Sequence, residues 1–549
     1  MSTSSAGKAL FMESTELEGD PSEPIPEGPV PQPAGIAGSA GMVGFLTFLS
    51  RIFGLLRDSV IAYVLGTRAA ADAFYVAFRI PNLLRRMFAE GNLTLSFIPV
   101  FSEALHRNRK EAREIADVTF TVLLLFLSLL SLAGVLGAAL FVKLTAWGFA
   151  DDPEKFALTV SLTRITFPYL LLVSLGALFM GILNARKRFA APAFAPVLMN
   201  LGIIFGAWVL SPHFSNPSTG IAWGVIVGGV LQLLVQIPQL VREGFLPRLS
   251  FQWTHPGLRK IGRLMLPTLY GSAVYQLNLL AITFLASFLP TGSISYLWYA
   301  DRVVEFPLGI FAVSLATVAL PALSDHAAKK NHEEMKKTFR HALSLVWLLN
   351  IPAAVGMAVL AKPIIAVLFF RGGFTQESTE LTAQALRFFV LGLPFVSASR
   401  IIASAFYAVQ DARKPVIAAN VTVLINILMG VLLLTPMQHR GLALAVSLGS
   451  ITNFVLLMIF YRRKVGLLGL KKLLLSVFKI VLAATVMGLG LLVVQHYWDL
   501  SFSRFVYRLS YLLALMGSGV LLYGILVLGL KVEGSEALLA GIRKRLARR

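Results

Sequence analysis

Apolar runs near the ~20 residues needed to cross a bilayer recur along the chain from Gly38 to Leu530, with only short polar breaks between them. Their lengths favour helices over strands. The pattern predicts an all-α polytopic membrane protein of about fourteen helices. They are expected near 38–65, 69–104, 113–147, 155–184, 190–211, 219–242, 257–290, 293–326, 335–370, 378–409, 413–435, 440–462, 470–496 and 504–531. Several exceed a minimal span, which implies tilt or kinks.

The pattern also repeats. Phe97-Ile-Pro-Val-Phe-Ser-Glu103 and Ala319-Leu-Pro-Ala-Leu-Ser-Asp325 both precede basic loops. Asn184-Ala-Arg-Lys187 matches Asp411-Ala-Arg-Lys414, Asn200 matches Asn426, and Gly220 with Arg242 matches Gly441 with Arg463. The pairs lie 221–227 residues apart, room for six helices. An even-numbered repeat keeps its orientation in the membrane, so the halves are expected to form two six-helix lobes in a parallel repeat. The last two helices have no counterpart. The expected division is a disordered cytoplasmic tail over 1–36, an N-lobe over 37–245, a C-lobe over 256–464, a helix pair over 465–531 and a basic tail over 532–549.

Composition agrees with the spans. Of 549 residues, 56% are hydrophobic and 14% charged, against about 25% charged in soluble domains. The formal charge of +21 is read as topology rather than nucleic-acid binding, because Lys and Arg accumulate in cytoplasmic loops. Basic clusters recur at Arg107–Arg113, Arg186–Arg188, Arg242–Lys260, Lys329–Lys337, Arg413–Lys414 and Arg462–Lys472, and again in the C-terminal tail. The alternate loops are poor in Lys and Arg, with Arg371 and Arg440 as exceptions. Both termini are therefore expected in the cytoplasm. The stretch Glu13–Pro33 is acidic and Pro-rich, and reads as disordered. There is no cysteine, so Cys-based metal sites and disulfides are excluded.

Charge inside the spans carries the candidate chemistry. On the first helix Gly44, Thr47, Ser50, Arg51, Gly54, Arg57 and Asp58 fall in a stripe about 140° wide, opposite an apolar face. Small residues alone would make a packing seam. Two arginines in the seam point instead to a polar cavity, since an arginine at mid-bilayer costs at least ~2.5–3.5 kcal/mol. On the second helix Asp72, Tyr75, Arg79, Asn82, Arg86 and Glu90 share a face. Arg85 trails it and is expected to reach the cavity through distortion at Pro81 and Gly91. In the second half, Asp301, Arg302 and Glu305 lie within one turn. Arg164, Arg387 and Arg400 are further singles, the first two near span ends where they can snorkel. A cavity lined by arginines suits a phosphate or carboxylate.

These residues carry a resemblance to a known family. Ser50-Arg51-Ile-Phe-Gly54-Leu-Leu-Arg57-Asp58, Ala71-Asp72-Ala73-Phe74, Pro81-Asn82-Leu-Leu-Arg85-Arg86 and Phe88-Ala-Glu90-Gly91 resemble the MurJ (MviN) family of bacterial lipid II flippases. Tyr299-Ala-Asp301-Arg302, Glu305-Phe-Pro307 and Arg371-Gly-Gly-Phe374-Thr375 fit the same family, within the multidrug/oligosaccharidyl-lipid/polysaccharide exporter superfamily. The resemblance implies a transporter in the bacterial cytoplasmic (inner) membrane. It implies translocation of lipid II, the undecaprenyl-diphosphate-linked peptidoglycan precursor, by alternating access, with membrane lipids and the peptidoglycan-synthesis machinery as partners.

It places substrate binding on Arg51, Arg57, Arg85 and Arg302. Ser50, Gly54, Asp72, Arg79, Asn82, Glu90, Asp301 and Glu305 are expected to support that cavity. No cofactor is expected. The resemblance implies coupling to a monovalent cation, Na⁺ or H⁺, or to the membrane potential. Asp411 is the weak cation candidate, with N-capping before Lys414-Pro415 as its competing role. The protein is expected to act as a monomer. The nearest alternative is a flippase for another lipid-linked oligosaccharide such as O-antigen. A membrane enzyme would need carboxylates or His at a loop, often with a metal, whereas His106, His326, His332 and His341 lie mostly at basic loops.

Overall fold

The computed structural model describes residues 33–88, 92–329, 331–466, 470–498 and 504–532. Each expected segment contains α-helix among its described residues. Eleven helices among the described residues are long and apolar enough to cross a membrane. Pro33–Leu65, Ala69–Phe88 and Pro256–Ala286 fall outside that set. The first two carry the charge-bearing stripes, and the third opens on a basic turn.

Local sequence sets the boundaries. Asp152 caps Pro153–Thr166 by accepting from the Lys155 N–H at 3.0 Å, and Asn216 caps Pro217–Leu234 by accepting from the Ser218 N–H at 3.1 Å, each with proline in the first turn. Proline fits there because its missing N–H has no intrahelical partner anyway. Several expected single spans are broken. The third helix of each half breaks between Leu136 and Ala138 and between Val359 and Ala361. The fourth breaks at Phe167–Pro168 and at the Val390–Gly392 turn that precedes Pro394. Breaks at matching positions in both halves follow the sequence repeat.

Packing repeats as well. In the first half Pro33–Leu65 packs on Ala190–Phe205, which packs on Pro217–Leu234. In the second, Pro256–Ala286 packs on Arg413–Met437, which packs on His439–Val465. Likewise Ala69–Phe88 lies on Pro153–Thr166, and Ser293–Pro307 on Gln376–Phe389. The unpaired helices Leu470–Tyr497 and Phe505–Gly529 lie against one another and dock on the second lobe through His332–Val359 and Ala361–Phe369. In the first lobe Gly202 and Gly206 face Gly224 and Gly228 so closely that a Cβ at any of them would strike the neighbouring backbone. Small residues replace side-chain interdigitation where lipid supplies no hydrophobic drive.

The two ends of the molecule differ. At one end the basic loops meet through ion pairs: Glu243 with Arg186 (3.1 Å) and Arg188 (2.6 Å), Asp411 with Lys464 (2.7 Å), and Glu103 with Lys260. At the other end the lobes join directly. The Gly373 N–H donates to the Tyr63 carbonyl at 2.7 Å, Thr67 and Ser378 hydroxyls lie 2.8 Å apart, and the Gly148 N–H donates to the Ser287 hydroxyl at 3.0 Å.

Candidate functional site

Between the lobes lies a cavity of about 1040 Å³. Arg51, Gly54, Arg57 and Asp58 reach it from the first helix, Arg79 from the second, and Asp301, Arg302 and Glu305 from Ser293–Pro307. Arg400 enters from Leu393–Ala408, so the lining carries five arginines against three carboxylates. That surplus of positive charge, facing low-dielectric walls, favours an anion.

The arginines are not equivalent. Arg57 is held on two sides: its Nε and Nη2 donate to Asp58 at 3.0 and 2.8 Å, and its Nη1 donates to Asn200 Oδ1 at 3.1 Å. Asn200 is fixed in turn, because its Nδ2 donates to the Ser50 carbonyl at 3.2 Å. Arg302 donates to Glu305 at 2.6 Å and lies 4.6 Å above the Trp298 ring. Arg79 stacks on the same indole at 5.1 Å and donates to Thr283 and the Leu279 carbonyl. Tyr75 stacks on Trp298 at 4.6 Å, so one indole orders two guanidiniums and a phenol. Such cation–π contacts contribute about 0.5–2 kcal/mol each.

Arg51 and Arg400 stand apart. Both are exposed to the cavity, and neither makes a hydrogen bond or ion pair among the described residues. Arg51 lies against Gly309, where any Cβ would strike its guanidinium. Gly309 sits in the π-helical turn Leu308–Ala312 that follows Pro307. The absent side chain therefore gives the arginine its place.

Three expected residues line neither cavity. Arg85 lines neither this cavity nor the smaller one beside it; its Nε donates to Asn82 at 2.9 Å. The smaller cavity is lined by Asn82 and Arg86, as their shared helix face predicts, with Arg79, Asp301, Arg302 and Glu305. The α-helix Ala69–Phe88 continues through Pro81, and Gly91 lies outside the described residues. Ser50 contributes its carbonyl to Asn200 rather than a wall to the cavity. Asp72, 1% exposed, is at the joined end of the lobes. It accepts from Lys155 Nζ (3.1 Å), the N–H groups of Gly292 (2.7 Å) and Ser295 (3.0 Å), and the Ser295 hydroxyl (2.6 Å). Glu90 lies outside the described residues.

Asp411 accepts from Lys464 at 2.7 Å and from the Lys414 N–H at 3.4 Å. The Lys464 hydrogen bond holds its carboxyl below the usual range. Asn278, on the helix where an acidic partner would be needed, bonds Asn426 at 2.8 Å instead. Among the described residues no group of three or more His, Asp or Glu could hold a metal ion. Arg164 lies off the cavity, and Arg387 pairs with Glu380 at 3.7 Å. Sequence reasoning left Arg400 as a single arginine and did not find Trp298, although Trp298 stands one turn before Arg302, where helix faces coincide.

Comparisons with known proteins follow this geometry. A family model described as lipid II flippase MurJ matches residues 61–513. The chain is 39% identical over 425 residues to a probable lipid II flippase MurJ of Vibrio cholerae, covering 76% of this chain and 81% of the relative. It is 38% identical to the lipid II flippase MurJ of Burkholderia cenocepacia, covering 77% of this chain and 83% of that one. Among solved structures, lipid II flippase MurJ in an inward closed conformation superposes with a TM-score of 0.75 at 28% identity, covering 88% of this chain and 97% of the other. An inward-facing MATE family multidrug transporter shares the fold, with a TM-score of 0.62 at 15% identity over 78% of this chain and 99% of its own. With the family model spanning most of its length and relatives well above 30% identity, the chain belongs to the lipid II flippase MurJ family.

Proposed function

We propose that this chain carries lipid II from the inner to the outer leaflet of the bacterial cytoplasmic membrane, through the arginine-lined cavity. Membership of the family makes it a multi-pass membrane transporter and not a catalyst. The observation that carries the substrate reading is the pair Arg51 and Arg400, free of protein partners among the described residues, in a cavity already furnished with oriented guanidiniums. A diphosphate offers each a bidentate partner, which a lysine could not match. The names borne by the relatives support the same substrate.

The sugar-peptide head occupies the cavity while the polyprenyl tail stays in apolar surroundings. Leu512 and Met516, from the last helix, line one wall of the cavity, so the helix pair over 465–531 gives the tail a path out. The lobes, 37–245 and 256–464, rock about the site in alternating access. The contacts Tyr63–Gly373, Thr67–Ser378 and Asp72 with Gly292 and Ser295 hold one end shut and must part for release. In this reading Pro33–Leu65, Ala69–Phe88 with Thr94–Arg107, and Pro256–Ala286 also cross the bilayer. That gives fourteen spans and cytoplasmic termini, as the loop charges require. Coupling draws on the membrane potential or an ion gradient without a ligand at Asp411, whose carboxylate Lys464 already holds.

The test is the leaflet distribution of lipid II in cells depleted of their own flippase and carrying this protein. Wild type is expected to restore outer-leaflet lipid II, while Arg51→Ala and Arg302→Ala at equal membrane levels do not. Wild type that inserts yet leaves lipid II inside overturns the substrate, and another lipid-linked glycan such as O-antigen then takes its place.

A further inference from the structure

Two arginines far from the basic loops form an arrangement that transport through the cavity does not use. Arg371 follows the short helix Ala361–Phe369, and Arg508 stands in the first turn of Phe505–Gly529. They interlock reciprocally. The Arg371 guanidinium lies 5.0 Å over the Phe505 ring, while that of Arg508 lies 4.8 Å over the Phe370 ring. Arg508 Nη1 donates to the Phe370 carbonyl at 2.8 Å, and Arg371 Nη2 donates to the Val367 carbonyl at 2.8 Å.

What is missing is a counter-charge. Neither arginine makes an ion pair among the described residues, and the two repel each other. Of the two acidic residues that follow, Glu377 pairs with neither arginine among the described residues, and Glu380 faces Lys362 and Arg387 instead. Arg508 is only 6% exposed, and the Nε of each arginine is buried without a hydrogen-bond partner. Desolvation lowers the pKa of the Arg371 guanidinium from its ordinary value. Burying two like charges side by side is costly, and the cost falls when an anion joins them.

The surroundings say where that anion comes from. Next to Phe505, the exposed ring on which Arg371 rests, Val506, Leu513 and Val520 form an exposed apolar stripe on the outer face of the same membrane-crossing helix, turned away from the buried Arg508. The first turn of this 25-residue helix adds a favourable dipole for negative charge. We propose that Arg371 and Arg508 form a binding site for a phosphate group, presented by a membrane-lipid headgroup whose acyl chains lie along the exposed face of the last helix. Arg371, half-buried, is the accessible arm, and Arg508 is the fixed one. The site does not depend on the cavity or its substrate.

The test uses the purified full-length protein in neutral detergent, with thermal unfolding followed as ligand is added. The ligands are phosphatidylglycerol in mixed micelles, diacylglycerol in the same micelles, and inorganic phosphate. Phosphatidylglycerol is expected to raise the midpoint of wild type and of Arg51→Ala alike, and diacylglycerol to leave both unchanged. Arg371→Gln should weaken the response at least about tenfold, as loss of a charge-assisted contact implies, with Arg371→Lys in between. If inorganic phosphate alone reproduces the Arg371-dependent shift, the site takes phosphate from any source; if it does not, the lipid is required. An unchanged wild-type midpoint with both phosphate ligands, or equal responses from wild type and the two Arg371 variants, overturns the proposal. Should Arg371→Gln fail to fold, Arg371→Lys decides alone.

Discussion

Asn200 and Asn426 hold the same place in the two lobes and do the same work with different partners. Asn200 accepts from Arg57 on the first helix at 3.1 Å, and Asn426 donates to Asn278 on the seventh at 2.8 Å. Each asparagine lies on the fifth helix of its lobe and ties it to the first. The repeat has kept the tie and changed the partner from a cation to a neutral amide. One lobe therefore presents a charge beside this joint, and the other does not.

That asymmetry predicts unequal consequences. Asn200→Leu removes a hydrogen bond to a charged group, about 1.5–3 kcal/mol, and leaves Arg57 to Asp58 alone. Flipping in the leaflet assay should fall about tenfold or more. Asn426→Leu removes a neutral bond of about 1 kcal/mol and should cost only a few-fold. Equal losses would mean that the tie, rather than the orientation of Arg57, is what transport needs.

Arg51 and Arg400 have no partner to lose among the described residues, whereas Arg302 leaves Glu305 behind. Arg51→Ala and Arg400→Ala are therefore expected to abolish or sharply reduce flipping while the thermal midpoint of purified protein stays within about 1 °C, since exposed, unpaired side chains contribute little to stability. Arg302→Ala should lower both. A large fall in midpoint for Arg400→Ala would assign it a structural role and remove it from the cavity machinery.

The helices, the repeat and the charged stripes were all legible in the sequence, because each rests on periodicity. Arg51, Arg57 and Arg302 share stripes with small or acidic neighbours, and helical geometry alone carries them to one cavity. Arg85 and Arg86 show the limit. Adjacent residues differ by 100° on a helix; the regular period already puts Arg86 on the polar face, whereas only the resemblance and an expected kink bring Arg85 to the cavity, and it lines neither cavity. Asp72 shares a face with Arg79, yet it lies two turns along the helix, at the joined end. Its partners Lys155, Gly292 and Ser295 come from both lobes, a meeting that no local pattern encodes.

Glu243 gives a prediction about pH. Desolvation works to raise its pKa, but hydrogen bonds from Arg188 and Arg186 outweigh it, and the carboxyl is held below its ordinary value of 4.5. A lowered folded-state pKa means that the stabilisation is fully present above the unfolded value and is lost as pH falls through the folded one. Wild type should therefore lose its stability advantage over Glu243→Gln as pH drops below about 4.5, and keep it unchanged between pH 6 and 8. Thermal midpoints of both proteins across that range check this. A gap between them that persists in acid would mean that shape rather than charge makes the contact.

Closure at the joined end can be tested directly because the chain has no cysteine. Thr67 follows the first helix, Ser378 opens the fourth helix of the other lobe, and their hydroxyl oxygens are 2.8 Å apart. That contact puts the two side chains next to each other, so paired cysteines there are candidates for a disulfide. The double variant Thr67→Cys/Ser378→Cys should cross-link under mild oxidation in membranes. Locked protein should take up substrate from the basic end yet deliver none to the outer leaflet, and a reductant should restore flipping. The single variants serve as controls, since neither can form the bond within one chain. If the cross-linked protein still flips at the wild-type rate, the lobes need not part at this end, and substrate must leave by another route.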